Sequence, residues 1–239
     1  DADWDAQGMA VGTDDLVFRT REGLVWPGGR LRVEHRPARP RQGASTAVQA
    51  DRVELEPLAA LAGSAVLSIA SAFDWTGGGS MSGSGTTRLL RDVTLAGSGT
   101  RILNRTLEIA AGRTLAVGDG VTLQRSASNG GSGGIVALGL FTKSAGTGTA
   151  YVHYLDISGN LSASSGILSL TGNTQGTSLG NASFSTSGSG SLRLDSGLFT
   201  LTNGQVATVF AGSLELHGAT LSTAGNASIV GSGTFRQVA

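Results

Sequence analysis

Few residues in this 239-residue sequence are of types that do chemistry, and their spacing limits what they could do. The three histidines, His35, His153 and His217, stand far apart, and none belongs to a His-Glu-x-x-His set that would place two imidazoles on one metal ion. Cysteine is absent, which removes thiolate ligands, disulfides and cysteine nucleophiles together. The opening DADWDAQG has the alternating acids of a calcium loop, but Ala6 occupies the turn-glycine position and Gly12 stands where a bidentate glutamate is needed. Two Gly-x-Ser-x-Gly matches, around Ser132 and Ser178, lack the strand-then-helix context of a nucleophile elbow. The only lysine, Lys143, follows Phe-Thr rather than the glycines of a phosphate loop. The sequence therefore predicts no catalytic residue, no metal site and no cofactor.

Two groupings remain. YVHYLDIS carries both tyrosines of the chain, and Tyr151, His153 and Tyr154 could line a shallow sugar-binding surface or pack a neighbouring loop. Asp195 and His217 are the second grouping: an acid beside an imidazole could orient it as a general base, provided the fold brings the two together. The architecture decides both questions.

That architecture is written in repeats. GSLRLDS begins at Gly190 and GSLELHG at Gly212, 22 positions later, and GILSLTG begins at Gly166. A second echo runs from Gly180-Asn-Ala-Ser-Phe184 to Gly225-Asn-Ala-Ser-Ile229, about two such steps apart. Earlier, RLLRDVTLAGSGT, RILNRTLEIAAG and RTLAVGDGVTLQ are shorter successive phrases, running from Arg88 to Thr100, Arg101 to Gly112 and Arg113 to Gln124, each a brief apolar alternation with a glycine turn. Self-similarity at this period signals a solenoid, and the Leu-x-x-Leu-x-Leu frame of leucine-rich repeats is missing. Three short strands with glycine-rich corners suit the step, which predicts an all-β, right-handed parallel β-helix. Alternation then sends Leu192, Leu194, Leu214 and Leu216 inward, with Arg193 beside Glu215 and Asp195 beside His217 on the outside. In that register Asp195 and His217 are neighbouring rungs, with no nucleophile fixed next to them.

Composition agrees. Glycine numbers 38, charged residues are 14% and aromatic residues 5%, a mix that disfavours helix. Seventeen basic and 17 acidic residues cancel, so no global field draws the chain to nucleic acid, and no apolar run is long enough to span a membrane. The first part differs from the rest. Acids crowd its start, and GRLRVEHRPARPRQG is rich in arginine and broken by Pro37 and Pro40. VELEPLAALAGSAVLSIASAF reads as helix by its Leu and Ala content and as strand by the alternation of Val53-Glu-Leu-Glu, with Pro57 interrupting either. The change at about Ala72 divides residues 1–72, a β-rich cap or linker region, from residues 73–239, the β-helix. Within the latter, IVALGLF reads as a strand buried on both faces and YVHYLDIS as one strand.

WTGGGSMSGSGTT, GRTLAVGDGVTL and GSLELHGATLSTAGNASIVGSGTF resemble the repeats of large bacterial surface proteins, the autotransporter passengers and filamentous-haemagglutinin-like adhesins. The resemblance runs from about Trp75 to Ala239. It implies a secreted or surface-displayed, non-catalytic module that spaces, adheres or assembles, with copies of itself, other surface proteins or glycans as partners. The alternative is a β-helical polysaccharide lyase or glycoside hydrolase. Such enzymes cluster Asp with Arg or Lys on one face, whereas outward acids here are sparse and Lys143 is isolated. Ice or mineral binding would need a broad threonine array, and Thr200-Leu-Thr202 with Thr220-Leu-Ser222 supplies two rungs.

Overall fold

A computed structural model describes residues 16–19, 31–34, 47–55, 60–126, 133–172, 177–178, 182–201, 204, 206–209 and 212–238. In chain order the strands begin with β1 (Leu16–Arg19), β2 (Leu31–Glu34), β3 (Ala47–Leu55), β4 (Ala60–Gly63), β5 (Val66–Trp75), β6 (Ser80–Met81), β7 (Thr86–Leu89) and β8 (Val93–Leu95). They continue with β9 (Gly99–Leu103), β10 (Thr106–Ile109), β11 (Thr114–Val117), β12 (Val121–Gln124), β13 (Gly134–Lys143), β14 (Thr149–His153), β15 (Asp156–Ala163) and β16 (Ile167–Thr171). The last are β17 (Thr177–Ser178), β18 (Ala182–Thr186), β19 (Ser191–Leu201), β20 (Val206–Val209), β21 (Ser213–Thr223), β22 (Ser228–Val230) and β23 (Thr234–Val238). Among the described residues there is no helix, so none is long and apolar enough to cross a membrane.

Apart from the pairings made by β1 and β2, the strand pairings among the described residues are parallel and join a strand to its counterpart one coil away, which makes the chain a parallel β-solenoid. Counted in chain positions, the step is 20 from Ala60 to Ser80 and 22 from Gly99 to Val121. It stretches to 29 from Thr122 to Tyr151, shrinks to 18 from Thr149 to Ile167, then runs 24, 22 and 21 through Ile167, Ser191, Ser213 and Thr234. Each coil has three sides, as the sequence predicts. Side one stacks β4, β6, β9, β12, β14, β16, the first half of β19, the first half of β21, and β23. The long strands bend round corners. Residues 134–137 of β13 pair with β10, whereas residues 140–142 pair with β11, and a register shift marks the bend. The shorter phrases of the sequence are thus fractions of a coil, and the step from Gly190 to Gly212 is the coil itself.

Columns of inward side chains form the core on all three sides. Leu123, Val152, Leu170, Leu194 and Leu216 stack on side one, and Leu67, Thr87, Leu107, Ile135 and Ile157 on side two. Val93, Leu115, Phe141, Leu161 and Phe184 stack on side three, and all of these side chains are buried. At about 25 cal/mol per Å² of apolar surface removed from water, such columns far outweigh exposed ion pairs, which contribute about 0–1 kcal/mol each.

Three local expectations are resolved or changed. The Leu- and Ala-rich stretch after Val53 is strand where it is described, from β3 to β5, because Val53, Leu55, Leu61, Leu67 and Ile69 alternate into the core. β5 runs through the composition change at Ala72 without a break. IVALGLF is not buried on both faces: its side chains alternate, and Leu138 is 56% exposed where β13 turns its corner. Gly139 permits that turn, since a Cβ there would run into the Arg113 carbonyl. YVHYLDIS is two strands, β14 and β15, divided at Tyr154 and Leu155. At the N-terminal end, β1 pairs antiparallel with β4 and β2 antiparallel with β3, which ends the parallel stacking there.

Candidate functional site

Side one carries two outward rows of side chains, all at least partly exposed except Ser169, which is fully buried. From β12 to β23 one outward row reads Thr122, Tyr151, Ser169, Arg193, Glu215 and Arg236, and the next reads Gln124, His153, Thr171, Asp195, His217 and Val238. Both groupings singled out in the sequence therefore fall on this one face, two rungs apart at about 4.8 Å per rung. The register places Arg193 opposite Glu215 and Asp195 opposite His217, as expected.

The ion pairs do not follow the rungs. Arg193 Nε bonds Asp195 Oδ2 at 2.9 Å along its own strand, and His217 Nε2 lies 3.3 Å from Glu215 Oε2, also along its strand. Across the rung His217 Nδ1 is 4.0 Å from Asp195 Oδ1. Residues two apart on one strand share a face, so long side chains choose between the partner alongside and the partner above. The network extends further: Ser169 Oγ donates to Asp195 Oδ2, and Ser213 Oγ lies 3.0 Å from Glu215 Oε1 and 2.9 Å from Ser191 Oγ. Asp195 thus meets side chains from the coils on either side of its own. Its Oδ2 is an anchored acceptor, and its Oδ1 is the atom that faces the His217 imidazole.

On β14 the rings of Tyr151 and His153 are nearly parallel, 10° apart with centroids at 5.9 Å, and the Tyr154 ring lies 6.0 Å from His153 at 40°. This separation is too wide for one ring to cover the other face to face. Burial holds the His153 imidazole below its ordinary range, against a smaller upward pull from the Asp195 carboxylate, which keeps the ring neutral at pH 7. Tyr154 is 40% exposed and sits at φ 61°, a left-handed conformation that non-glycine residues rarely adopt. Positive φ recurs at the equivalent position in two later coils, Ser196 at φ 52° after the first half of β19 and Gly218 at φ 62° in β21, but not at Gly172 in the coil between. Glycine at that corner is free of the Cβ clash that tyrosine and serine tolerate.

The interior contains what sequence patterning missed. Arg101 pairs in register with Leu123, so it heads the side-one core column and is fully buried. Its guanidinium reaches backbone carbonyls, with Nε on Trp75 O at 2.6 Å, Nη2 on Ala96 O at 2.7 Å and Nη1 on Gly99 O at 3.1 Å. Lys143 pairs with Ala163 in an inward column of side three, and its Nζ meets Asp119 Oδ1 at 2.7 Å and the Ala145 carbonyl. Hydrogen bonding from Lys143, then from the Gly148 backbone, holds the Asp119 carboxyl below the usual carboxylate range. Arg105 is buried at the corner after β9, where Nη2 bonds Ala65 O at 2.8 Å across two coils. The signal was available for Arg101, because Arg101-Ile-Leu103 alternates and only one parity puts both ends inside. Nothing in sequence spacing distinguishes Lys143.

His35, Ser132 and the acidic start at residues 1–12 lie outside the described residues, and Ser178 lies in the short strand β17. Among the described residues no group of three or more His, Asp or Glu is arranged to hold a metal ion. Comparison of the chain with protein-family models, with curated proteins and with solved structures finds no match.

Proposed function

We propose that the chain is a non-catalytic module of a bacterial surface or secreted protein, in which the solenoid presents side one as a binding face. The observation that carries this reading is the succession of partly exposed side chains on that face: Tyr151 and His153, then Thr171 beside a buried Ser169, then Arg193 and Asp195, then Glu215 and His217 stand on successive rungs over a column of buried side chains. A solenoid coil cannot shift without shifting its neighbours, so the face is pre-organised, and pre-organised faces lose less entropy on binding. The acids on it are engaged by neighbouring side chains, Asp195 by Arg193 and Ser169 and Glu215 by Ser213, which suits acceptors better than nucleophiles. The repeat resemblance supports an extracellular setting. Assembly with further copies suits the architecture, since parallel coils pair edge to edge.

The clustering of Arg193, Asp195, Glu215 and His217 on one face also favours a second reading, a polysaccharide lyase or hydrolase. One experiment separates the two. Beads coated with the chain are passed over immobilised polysaccharides and matrix glycoproteins, and the wash is assayed for new reducing ends. Retention without release is the expected result. Release of reducing ends selects the enzyme, and neither retention nor release overturns the binding reading. Negative-stain images over a concentration series test assembly, with filaments or sheets expected and isolated short rods refuting it.

A further inference from the structure

We infer that the face of side one from β14 to β21 takes a neutral oligosaccharide, one pyranose ring packing against Tyr151, His153 and Tyr154 and the hydroxyls of residues further along bonding to the Asp195 network. This rests on the reading of the same face as a binding surface and names its ligand class.

The aromatic end supplies the first half of the argument. Three rings gather at the end of one strand with centroids 5.9 and 6.0 Å apart, Tyr151 and His153 partly exposed and Tyr154 40% exposed. Saturated sugar rings expose C–H groups on their flat faces, and these pack on the negative face of an aromatic ring. Tyr154 holds its place despite a left-handed backbone where Gly218 occupies the equivalent corner without strain. Strain of that kind is retained when the side chain is used, and here the side chain is a half-exposed ring beside two others.

The polar end supplies the second half. Rungs repeat at about 4.8 Å, close to the length of one pyranose residue in an extended chain, so a sugar lying along the solenoid axis meets one rung per residue. One rung beyond the aromatics Thr171 is partly exposed beside the fully buried Ser169, and the next rung brings Arg193 and Asp195. Asp195 Oδ2 is bonded by Ser169 and Arg193, while Oδ1 has His217 Nδ1 at 4.0 Å, outside hydrogen-bond reach. An ionised carboxylate accepts about four hydrogen bonds, and Oδ1 is thus poised for a hydroxyl.

The charge balance fixes the class. Arg193 is matched by Asp195, Arg236 stands in register with Glu215, and burial keeps His153 uncharged. Among the described residues this stretch of the face therefore carries no surplus cation for a uronate or sulfate, and an acidic saccharide would have to displace Asp195 from Arg193. A neutral polyol meets acceptors and donors already in place.

The test uses the full chain with cellohexaose, chitohexaose and maltohexaose as probes and an oligogalacturonate as the acidic comparison. Binding is measured by isothermal titration, and contact by saturation transfer from protein to sugar protons. At least one neutral hexasaccharide is expected to bind, with transfer concentrated on its C–H groups, and Tyr151→Ala is expected to weaken it about tenfold. Tyr154→Gly is the decisive variant, because it removes the ring while relieving the left-handed strain, so a loss of binding cannot be ascribed to a lost fold. No binding by any neutral probe, unchanged binding by Tyr154→Gly, or tighter binding of the oligogalacturonate would each overturn the inference. Failure of the wider reading looks different. If coated beads are retained equally by wild type and Tyr154→Gly, the sugar site falls and the adhesive reading stands; if sugars bind but beads are not retained, the reverse holds.

Discussion

Arg101→Leu tests whether a buried cation in the core is a misplaced charge or a clip for a corner. Arg101 stands directly over Leu123 in a column otherwise filled by Val152, Leu170, Leu194 and Leu216. Leucine therefore matches the column. If the guanidinium were merely a desolvated charge, the replacement would be neutral or would stabilise the fold by about 1–4 kcal/mol. The hydrogen bonds imply the opposite sign. Four carbonyls lose their donor: those of Ala96, Gly97 and Gly99, on an exposed corner, regain water, whereas that of Trp75 belongs to a buried residue. One orphaned buried acceptor costs about 1–3 kcal/mol, which is the expected net loss. Urea unfolding followed by circular dichroism measures it. With a slope of about 2 kcal/mol per molar urea, the midpoint should fall by about 0.5–1.5 M. Solenoids can unfold coil by coil, so exchange of the amides that flank the clip gives a local check. Gly78 N bonds Thr100 O at 2.6 Å and Ile102 N bonds Gly79 O at 3.1 Å, and both amides should lose protection while those of β19 and β21 do not. A midpoint equal to or above that of the wild type would refute the clip.

Three further outcomes follow from the same geometry. Because the Asp119 carboxyl is held below its ordinary range, its pairing with Lys143 contributes stability above about pH 4, and this is lost as pH falls through the folded value; melting curves of Asp119→Asn should show a flatter acid limb than wild type. Leu194→Ala should lose about 2–5 kcal/mol in chemical unfolding, whereas Arg193→Ala, at the neighbouring position but facing solvent, should lose under about 1 kcal/mol. Equal losses would mean that the surface ladder, not the core, holds the coils. Ser196→Gly should be neutral or stabilising by up to about 1 kcal/mol, since it removes a left-handed serine at φ 52°, and a clear loss in the same assay would show that the Ser196 side chain, not its backbone, matters at that corner.

The sequence made the coil legible because repetition is a long-range signal. Two copies of Gly-Ser-Leu-x-Leu, one at Gly190 and one at Gly212, specify which residues are opposite each other, and alternation specifies which point inward. The rungs Leu192 over Leu214 and Arg193 over Glu215 follow from those two facts, and the structure has both. Partner choice was not legible. Whether Arg193 reaches up to Glu215 or along to Asp195 depends on rotamers, and both carboxylates stand within one rung or one pleat of it. Corners were also hidden, because IVALGLF and YVHYLDIS show no break where β13 bends at Leu138 and where Tyr154 turns left-handed. A bulky residue at a corner contradicts local preference, and such contradictions are where side-chain use shows.

The buried cations and the outer face are linked by the same constraint. A solenoid satisfies its strand groups between coils, but at each corner the chain leaves the ladder and its carbonyls must find other donors. Where a coil is regular, stacked corner amides serve, as when Ser213 N bonds Gly190 O at 3.0 Å and Thr234 N bonds Gly212 O at 2.9 Å. At other corners a long cation reaches across. Arg101 sits where the very short β6 gives way to β9, and Lys143 lies within the long step from Thr122 to Tyr151. Arg105 spans the irregular N-terminal coils to Ala65, passing Gly85, where a Cβ would meet both the Ala65 carbonyl and the guanidinium. Burial lowers its pKa to about 10, so it remains charged at neutral pH. From β14 to β21 the inward column of Val152, Leu170, Leu194 and Leu216 is apolar throughout, and the steps settle toward that of the Gly190 and Gly212 repeat. The aromatic and polar face lies over that apolar column, where in-register strands hold a ligand rung by rung although the step between coils varies.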